Sequence, residues 1–232
     1  MLFKTEGIVL GVNSYSDTYS IAHLFTRDFG RVSYLLPISR GKRIKIRNSL
    51  FFPLSVLYLE VEHMPLRDVQ RLKEVERQFP LYELCTHITK VSQAFFISEF
   101  LSFVLRESDN NDSIEILEAT EKGLANFHLA LMMGLTRFLG IYPNAEFLDE
   151  HSYFDLQHGE FVVNEPMHTY YLNKKESAYL RDLYRINYGN MHLFKLSRNN
   201  RNEIADQLLD YYRLHTYNFP PLKSLEVLRK LG

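Results

Sequence analysis

The sequence predicts an α+β protein with a five-stranded OB-fold barrel over residues 1–80, followed by a mainly α-helical domain over residues 81–232. Three observations predict this organisation. Apolar and polar residues alternate at the period of a strand up to Pro80, the period becomes helical after it, and charge differs between the two parts. Residues 1–79 carry twelve Lys and Arg against eight Asp and Glu, a net charge of +4, within a chain of net charge −1. A basic first part followed by a slightly acidic remainder indicates that the two parts have different functions.

Five short strands are predicted in the first part, from runs in which apolar and polar side chains alternate. The alternation is clearest at 21–25 and 32–36. Asp28-Phe29-Gly30 between these runs has the chemistry of a tight hairpin, because glycine adopts positive φ without strain. The other strands are predicted at about 3–12, 55–62 and 68–77. Five strands of this length close best as a small barrel, and the OB-fold is the commonest such barrel.

The second part is predicted to be helical. Residues 81–106 are apolar around most of a helix, and Asp112 followed by Glu115 is typical of the capped start of a second helix. A helix that is apolar on nearly every side follows from about Phe127 and ends at Gly140, and such a helix belongs in the centre of a bundle. Further helices are predicted at 175–184, 202–214 and 222–231, with an irregular β-like insertion at about 144–173.

The strongest local feature is a basic run at residues 40–47, between the third and fourth predicted strands, in which five of eight residues are cationic. A solvated charge run and a phosphate-binding surface both fit this pattern. A phosphate-binding surface supplies affinity without sequence preference, because each neutralised phosphate releases counterions. Tyr15 and Tyr19 offer faces for base stacking, with core or rim packing as the alternative. The predicted DNA-binding residues are the cations of the run and the two arginines that flank the hairpin turn: Arg27, Arg31, Arg40, Lys42, Arg43, Lys45 and Arg47.

Catalytic and cofactor-binding motifs are missing from the sequence. There is no glycine-rich phosphate loop, no H-E-x-x-H and no G-x-S-x-G, so we expect a protein that is not an enzyme and uses no cofactor. His151, His158 and His168 lie near the acidic residues Asp149, Glu150 and Asp155, but their spacing fits no structural zinc pattern. We therefore predict surface histidines and no structural metal, with the insertion held by the packing of its aromatic residues.

Cysteine usage and hydropathy bear on the cellular compartment. Cys85 is the only cysteine, so no intramolecular disulfide can form, which suits a reducing cytoplasm. The first residues lack the basic and apolar regions of a secretory signal, and the most apolar stretch, 94–105, is too short to span a bilayer. We expect a cytoplasmic, nucleoid-associated protein without membrane contact.

Several segments share their pattern with one family. Residues 3–36 read FKTEGIVLGVNSYSDTYSIAHLFTRDFGRVSYLL and begin with a K-T-x-G-I-V-L strand, and residues 38–50, ISRGKRIKIRNSL, follow with a basic segment. In these segments the chain resembles the RecO family of recombination mediators. The resemblance continues in FFPLSVLYLEV (51–61), in AFFISEFLSFVLRE (94–107) and FHLALMMGLTRFLGIYP (127–143), which resemble two central helices of the family, and in the closing helix PLKSLEVLRKL (221–231).

The resemblance implies an OB-fold DNA-binding domain joined to a helical domain. It also implies binding of single- and double-stranded DNA, and annealing of complementary strands without nucleotide hydrolysis. The implied partners are RecR, the C-terminal tail of single-stranded-DNA-binding protein and, indirectly, the RecA recombinase that is loaded onto the coated strand. Two alternatives remain: an OB-fold nucleic-acid-binding protein with an unrelated role, and a small-molecule enzyme or protein adaptor. Strand annealing without ATP separates the first interpretation from these.

The chain departs from the family pattern in two places. Many members carry a four-cysteine zinc ribbon in the region that corresponds to 144–173, where this chain has a zinc-ribbon-like insertion without cysteine. Some members place basic residues before the F-x-L-A-L helix to bind the acidic tail of single-stranded-DNA-binding protein, and these positions are here Ala125 and Asn126. Lys122 and Arg137 are alternative candidates for that contact.

Overall fold

The computed structural model describes residues 1–38, 48–78, 86–105, 124–149 and 151–231. The chain divides into two compact units, Met1–Glu118 together with Leu222–Gly232, and Ala119–Pro221. The first unit contains the barrel and also two helices from later in the sequence. The predicted domains, a DNA-binding domain over 1–80 and a helical domain over 81–232, are defined by function as well as by compact packing. This division stays a prediction.

The first unit is built on a closed barrel of five strands in the order β1-β2-β3-β5-β4. The strands are β1 (Leu2–Ser14), β2 (Tyr19–Thr26), β3 (Gly30–Pro37), β4 (Val56–Glu62) and β5 (Val69–Arg77). All pairings are antiparallel except that of β3 with β5, which closes the barrel together with the pairing of β1 and β4. A bulge between Val9 and Gly11 bends β1, which pairs with both β2 and β4. The predicted α+β class with a five-stranded OB-type barrel is therefore confirmed.

The core of the barrel follows from the alternation of side chains along each strand. In β2, Ala22 and Leu24 are buried whereas Ile21 and His23 are half-buried on the outer surface. Gly30 adopts a φ of 60° in the hairpin between β2 and β3, as the sequence predicts. The core consists of the inward residues Val9, Ala22, Leu24, Val32, Tyr34, Leu36, Phe51, Leu57, Leu59, Val61, Leu72 and Val75.

Two of the α-helices belong to the first unit. The helices are α1 (Ile88–Val104), α2 (Phe127–Phe138), α3 (Lys174–Leu183), α4 (Arg198–His215) and α5 (Ser224–Leu231). α1 packs on the barrel through an edge-to-face contact of Phe95 with Phe52, whose ring centroids are 5.8 Å apart. The carboxylate of Glu99 in α1 accepts the backbone N–H groups of Lys223 and Ser224 at 3.0 and 2.8 Å, and also the Ser224 hydroxyl. Glu99 therefore caps the start of α5.

The second unit is built on α2, α3 and α4. α2 is buried along most of its length and ends before Gly140, whose φ of 72° confirms the predicted stop. The buried Tyr212 of α4 donates its hydroxyl to the backbone oxygen of Met132 in α2 at 2.7 Å. The helix start predicted at Asp112 lies outside the described residues. None of the described helices is both long and apolar enough to cross a membrane.

The predicted β-like insertion contains a small sheet in the second unit. Its strands are β6 (Tyr153–Asp155), β7 (Glu160–Val162) and β8 (Tyr171–Leu172), in the order β7-β6-β8. Phe154 and Phe161 are fully buried with ring centroids 4.9 Å apart, and Phe154 also contacts the ring of Tyr211 in α4 at 5.7 Å. Aromatic packing therefore holds this sheet against α4, as expected from the sequence.

Candidate nucleic-acid interface

The outer surfaces of β2 and β3, with the adjoining ends of β1 and β5, form one continuous surface, here named the β2–β3 face. In the strand register, His23 of β2 lies beside Ser33 of β3, and Leu35 of β3 lies beside Arg71 of β5. The outward positions of β2 and β3 hold no carboxylate. The residues of the face are Asn13, Tyr19, Ile21, His23, Arg31, Ser33, Leu35 and Arg71. In OB-folds this is the surface on which oligonucleotides bind.

A row of polar side chains crosses the β2–β3 face. His23 Nδ1 lies 2.9 Å from Ser33 Oγ, and His23 Nε2 lies 3.2 Å from the amide nitrogen of Asn13. Because the Asn13 amide nitrogen can only donate, Nε2 accepts and Nδ1 carries the ring proton, which it donates to Ser33. Burial and the nearby charge of Arg31 both lower the pKa of His23, so the ring is neutral at pH 7. The row therefore offers fixed dipoles, and the arginines supply the charge.

The turn between β1 and β2 presents two exposed tyrosines at one end of this face. Tyr15 and Tyr19 are 68% and 41% exposed. Ser16 Oγ fixes the turn by accepting the backbone N–H groups of Thr18 and Tyr19 at 3.3 and 3.1 Å. Ile38, the last described residue before the basic run, donates its backbone N–H to the oxygen of Thr18 at 2.8 Å. Ile38 therefore lies at the turn that carries the tyrosines.

The outer surface of β1, β4 and β5 has the opposite charge character. It contains a groove of about 550 Å³, here named the acidic groove, whose charged lining residues are Lys4, Glu6, Arg27, Asp28, Glu60, Glu74 and Glu76. Arg27 Nη2 lies 2.8 Å from Glu6 Oε2, so one of the two cations is paired within the groove. Glu62 of β4 lies beside Arg71 of β5 in the strand register, so its carboxylate is at the border with the β2–β3 face. A hydrogen bond from Lys73 and the weaker fields of Arg67 and Arg71 lower its pKa. The barrel surface is therefore divided by charge.

The structure separates the predicted DNA-binding residues. Arg27 lies in the acidic groove, whereas Arg31 lies near His23 on the β2–β3 face. The remaining five, Arg40, Lys42, Arg43, Lys45 and Arg47, lie outside the described residues. Sequence reasoning missed His23, Ser33 and Arg71 as neighbours. The alternation along each strand shows that these side chains point outward, but their proximity depends on the order of the strands in the barrel.

The second unit has a pocket of about 290 Å³ at the start of α2, here named the Asn126 pocket. Asn126 is 4% exposed and donates its amide to the backbone oxygens of Met191 and Phe194 at 2.9 and 2.7 Å. Its buried Oδ1 has no hydrogen-bond partner among the described residues. Among the described residues, the lining contains cationic and apolar side chains and no carboxylate: Ala125, Asn126, His192, Phe194, Lys195, Leu196 and Arg201.

The two alternative cations that the sequence suggested lie elsewhere. Arg137 donates to the Tyr142 hydroxyl at 2.6 Å, and its guanidinium lies 4.2 Å from the centre of that ring, so it is engaged outside the Asn126 pocket. Lys122 lies outside the described residues. Arg201 is half-buried in the pocket and donates to the backbone oxygen of Leu196 at 2.9 Å. Burial and the charge of Arg198 lower its pKa from a high ordinary value.

The insertion cannot hold a metal through thiolates, because residues 144–173 contain no cysteine. Within the described part of the chain, potential metal ligands gather at one place, formed by Asp155, His158 and His168. His151, the third histidine of the sequence pattern, is exposed and is not part of this cluster. The expectation of no structural metal stays a prediction.

Comparisons with known proteins point to one family. The family model Recombination protein O N terminal matches residues 1–79, and Recombination protein O C terminal matches residues 85–226. Proteins named DNA repair protein RecO from Azobacteroides pseudotrichonymphae genomovar. CFP2 and from Phocaeicola vulgatus are each 39% identical over 239 residues. The protein of that name from Bacteroides fragilis is 37% identical over 240 residues. Each of these alignments covers 100% of this chain and 99% of the relative.

Proposed function

The chain belongs to the RecO family of recombination and DNA repair proteins, and from this premise we propose that it binds single- and double-stranded DNA and anneals complementary strands. We further propose that it helps to load recombinase onto single strands coated by single-stranded-DNA-binding protein, with RecR as a partner. Family membership gives it a role in DNA repair and recombination. The observation that carries the finer proposal is the charge division of the barrel surface.

The β2–β3 face suits a nucleic acid for three reasons. Its outward positions on β2 and β3 have no carboxylate, so on these two strands no like charge opposes a phosphate, and the carboxylates of Asp17 and Glu62 lie at its edges. Arg31 and Arg71 supply cations, and Ile38, the last described residue before the basic run, is bonded to the adjoining turn. The exposed rings of Tyr15 and Tyr19 can stack on bases, which contributes about 1–3 kcal/mol per base without sequence preference. The acidic groove repels DNA from the other surface and so restricts where a strand can lie.

Annealing on such a surface requires no chemical step by the protein. Two complementary strands repel each other through their phosphates, and base pairing releases free energy once they meet. A cationic surface lowers the repulsion, and stacking on tyrosines keeps single-stranded bases exposed for pairing. The proposed role is therefore that of a non-enzymatic mediator without nucleotide hydrolysis, and the proposed location is the nucleoid in the cytoplasm.

The Asn126 pocket suits the acidic C-terminal tail of single-stranded-DNA-binding protein. Lys195 and His192 are exposed at the pocket, and the half-buried Arg201 lies within it. Phe194 and Leu196 add apolar surface beside these cations. Charge-assisted hydrogen bonds to carboxylates are among the strongest that proteins make. This pocket replaces Arg137 as the candidate for the contact.

One annealing experiment tests both parts of this proposal. Complementary oligonucleotides, either bare or coated with single-stranded-DNA-binding protein, are mixed with the full chain in EDTA without nucleotide, and duplex formation is followed. We expect acceleration in both cases. Lys195→Ala should leave annealing of bare strands unchanged and slow annealing of coated strands about tenfold, because it removes a charged contact to the tail.

Arg137→Ala is the matched control, since it removes a side chain of the same charge that lies outside the pocket. It should anneal bare and coated strands like the unmodified protein. No acceleration of bare strands, or acceleration only with ATP, would refute the mediator proposal and favour a generic nucleic-acid-binding protein. Equal slowing by both variants would refute the pocket assignment alone.

A further inference from the structure

Three side chains with metal-ligating atoms converge at the turn that follows β6. His158 Nδ1 and His168 Nε2 lie 2.8 and 3.1 Å from the same oxygen of Asp155, Oδ2. All three ligand atoms lie within 4.8 Å of one another. Two imidazoles and a carboxylate form a donor set that favours borderline divalent ions such as Zn²⁺ over hard ions such as Mg²⁺.

The carboxylate of Asp155 is positioned independently of the two histidine rings. Its side chain is only 7% exposed. The other oxygen, Oδ1, accepts the backbone N–H groups of Gln157 and His158 at 2.8 and 3.0 Å. These bonds hold Oδ2 toward the rings, in the manner of the outer hydrogen bonds that orient the ligands of metal sites.

The two histidines are also held in place by the sheet. Asp155 pairs with Glu160 of β7 and with Tyr171 of β8, so the segments that carry His158 and His168 both return to β6. Gly159, which closes the β6–β7 turn, has a φ of 72°, and a Cβ there would lie 2.5 Å from the buried hydroxyl of Tyr211. The cluster is therefore built on ordered backbone rather than on loose surface side chains.

From this geometry we propose that Asp155, His158 and His168 bind one divalent ion of the Zn²⁺ class, reversibly, with a fourth position open to water. The His158 side chain is 59% exposed and that of His168 30%, so an ion can reach the site from solvent. The three ligands close around it at about 2.0–2.2 Å. This site is distinct from a structural zinc, and the proposal does not rest on the DNA-binding role.

The insertion keeps its fold without the ion. The aromatic packing of Phe154 and Phe161 and the hydrogen bonds to Asp155 hold the turn when protons occupy the two ring nitrogens. His168 Nδ1 accepts the backbone N–H of Tyr170 at 3.2 Å in this state, so Nε2 carries the proton that faces Asp155. When an ion binds Nε2, the proton of the neutral ring resides on Nδ1 instead, so Nδ1 no longer accepts from Tyr170 and that contact breaks.

The test uses the full chain after treatment with EDTA and dialysis, with Zn²⁺ titrated against a chromophoric chelator. We expect one Zn²⁺ per chain, an increase in Tm on binding, and the visible spectrum of a nitrogen- and oxygen-liganded ion when Co²⁺ replaces Zn²⁺. His158→Ala and His168→Ala should each weaken binding by about tenfold or more. His151→Ala is the matched control, because this exposed histidine of the same segment lies outside the cluster, and it should bind like the unmodified chain.

Circular dichroism of the stripped protein and of each variant shows whether the fold is kept. The proposal is overturned if the unmodified chain binds Zn²⁺ no more tightly than the His158→Ala, His168→Ala double variant. The cluster would then serve only to hold the turn through its hydrogen bonds. Equal loss in His151→Ala would overturn the proposal as well. Neither result affects the annealing proposal, whose readout is duplex formation in EDTA.

Discussion

His128 of α2 lies in the interior of the second unit, where it is 3% exposed. Burial, and the nearby charge of Arg201, lower the pKa of this ring from 6.5 to about 3. The folded chain therefore keeps His128 neutral at a pH where the unfolded chain protonates it. Above pH 6.5 His128 adds no pH dependence to the free energy of unfolding. Between pH 6.5 and about 3 it lowers that free energy as the solution becomes more acidic.

We predict that His128→Gln weakens the acid sensitivity of the protein. Between pH 6.5 and about 3 the unmodified chain should lose about 1.4 kcal/mol of unfolding free energy per pH unit more than the variant. Urea unfolding at pH 7.5, 5.5 and 4.5 measures this, with His151→Gln as a control for an exposed histidine. Parallel pH profiles for His128→Gln and the unmodified chain would show that the ring is protonated in the fold.

At the scale of single residues, Arg27 and Arg31 show that the sequence alone does not tell which side chain pairs with which partner. Both flank the hairpin turn, and their charge and nearness in sequence group them together. The backbone N–H of Arg27 donates to the oxygen of Glu6 at 2.9 Å, so β1 brings the Glu6 carboxylate to Arg27 and not to Arg31. This pairing depends on the β1–β2 register, which a residue pattern does not specify. Gly30, in contrast, is predictable because the demand for positive φ is local.

At the scale of elements, the alternation of side chains identifies all five barrel strands, because each strand buries one face in a common core. The sequence predicts the helices but not which elements they pack against. α1 is apolar on most sides, since it packs on the barrel and also on α5. Glu99 of α1 and Lys223 at the start of α5 are 124 residues apart in the sequence, so no local pattern relates the two helices. The cap that Glu99 provides for α5 is invisible for the same reason.

We predict that this cap stabilises the first unit. Glu99→Ala removes the acceptor of two backbone N–H groups and one hydroxyl at the start of α5. The loss should be about 1 kcal/mol of unfolding free energy, typical of a deleted N-terminal cap, and amide exchange should quicken in Ser224–Leu231. Glu203→Ala, on the exposed surface of α4, is the control. Unchanged exchange in α5 after Glu99→Ala would show that the cap does not hold the helix.

At the scale of the whole molecule, the net charge of −1 is the sum over surfaces of different charge, among them the basic β2–β3 face and the acidic groove of the barrel. The sequence predicts the basic first part but assigns no charge to either surface of the barrel. Barrel closure puts Arg71 beside Leu35 of the β2–β3 face, and it gathers Glu60, Glu74 and Glu76 in the acidic groove. The sequence therefore predicts a basic first part with a cationic run at 40–47, which lies outside the described residues, and it does not predict the β2–β3 face or the residue that β5 contributes to it.

The most direct test of this account is the salt dependence of single-stranded DNA binding. The double variant Arg31→Ala, Arg71→Ala removes two cations from the β2–β3 face, and Arg27→Ala removes one from the acidic groove. We predict that the double variant binds more weakly for every sequence, and that the slope of log K against log salt becomes shallower by about 1.4, at 0.7 per phosphate contact. Arg27→Ala should keep both the affinity and the slope. An unchanged slope in the double variant, or a larger change in Arg27→Ala, would contradict the assignment of DNA binding to the β2–β3 face.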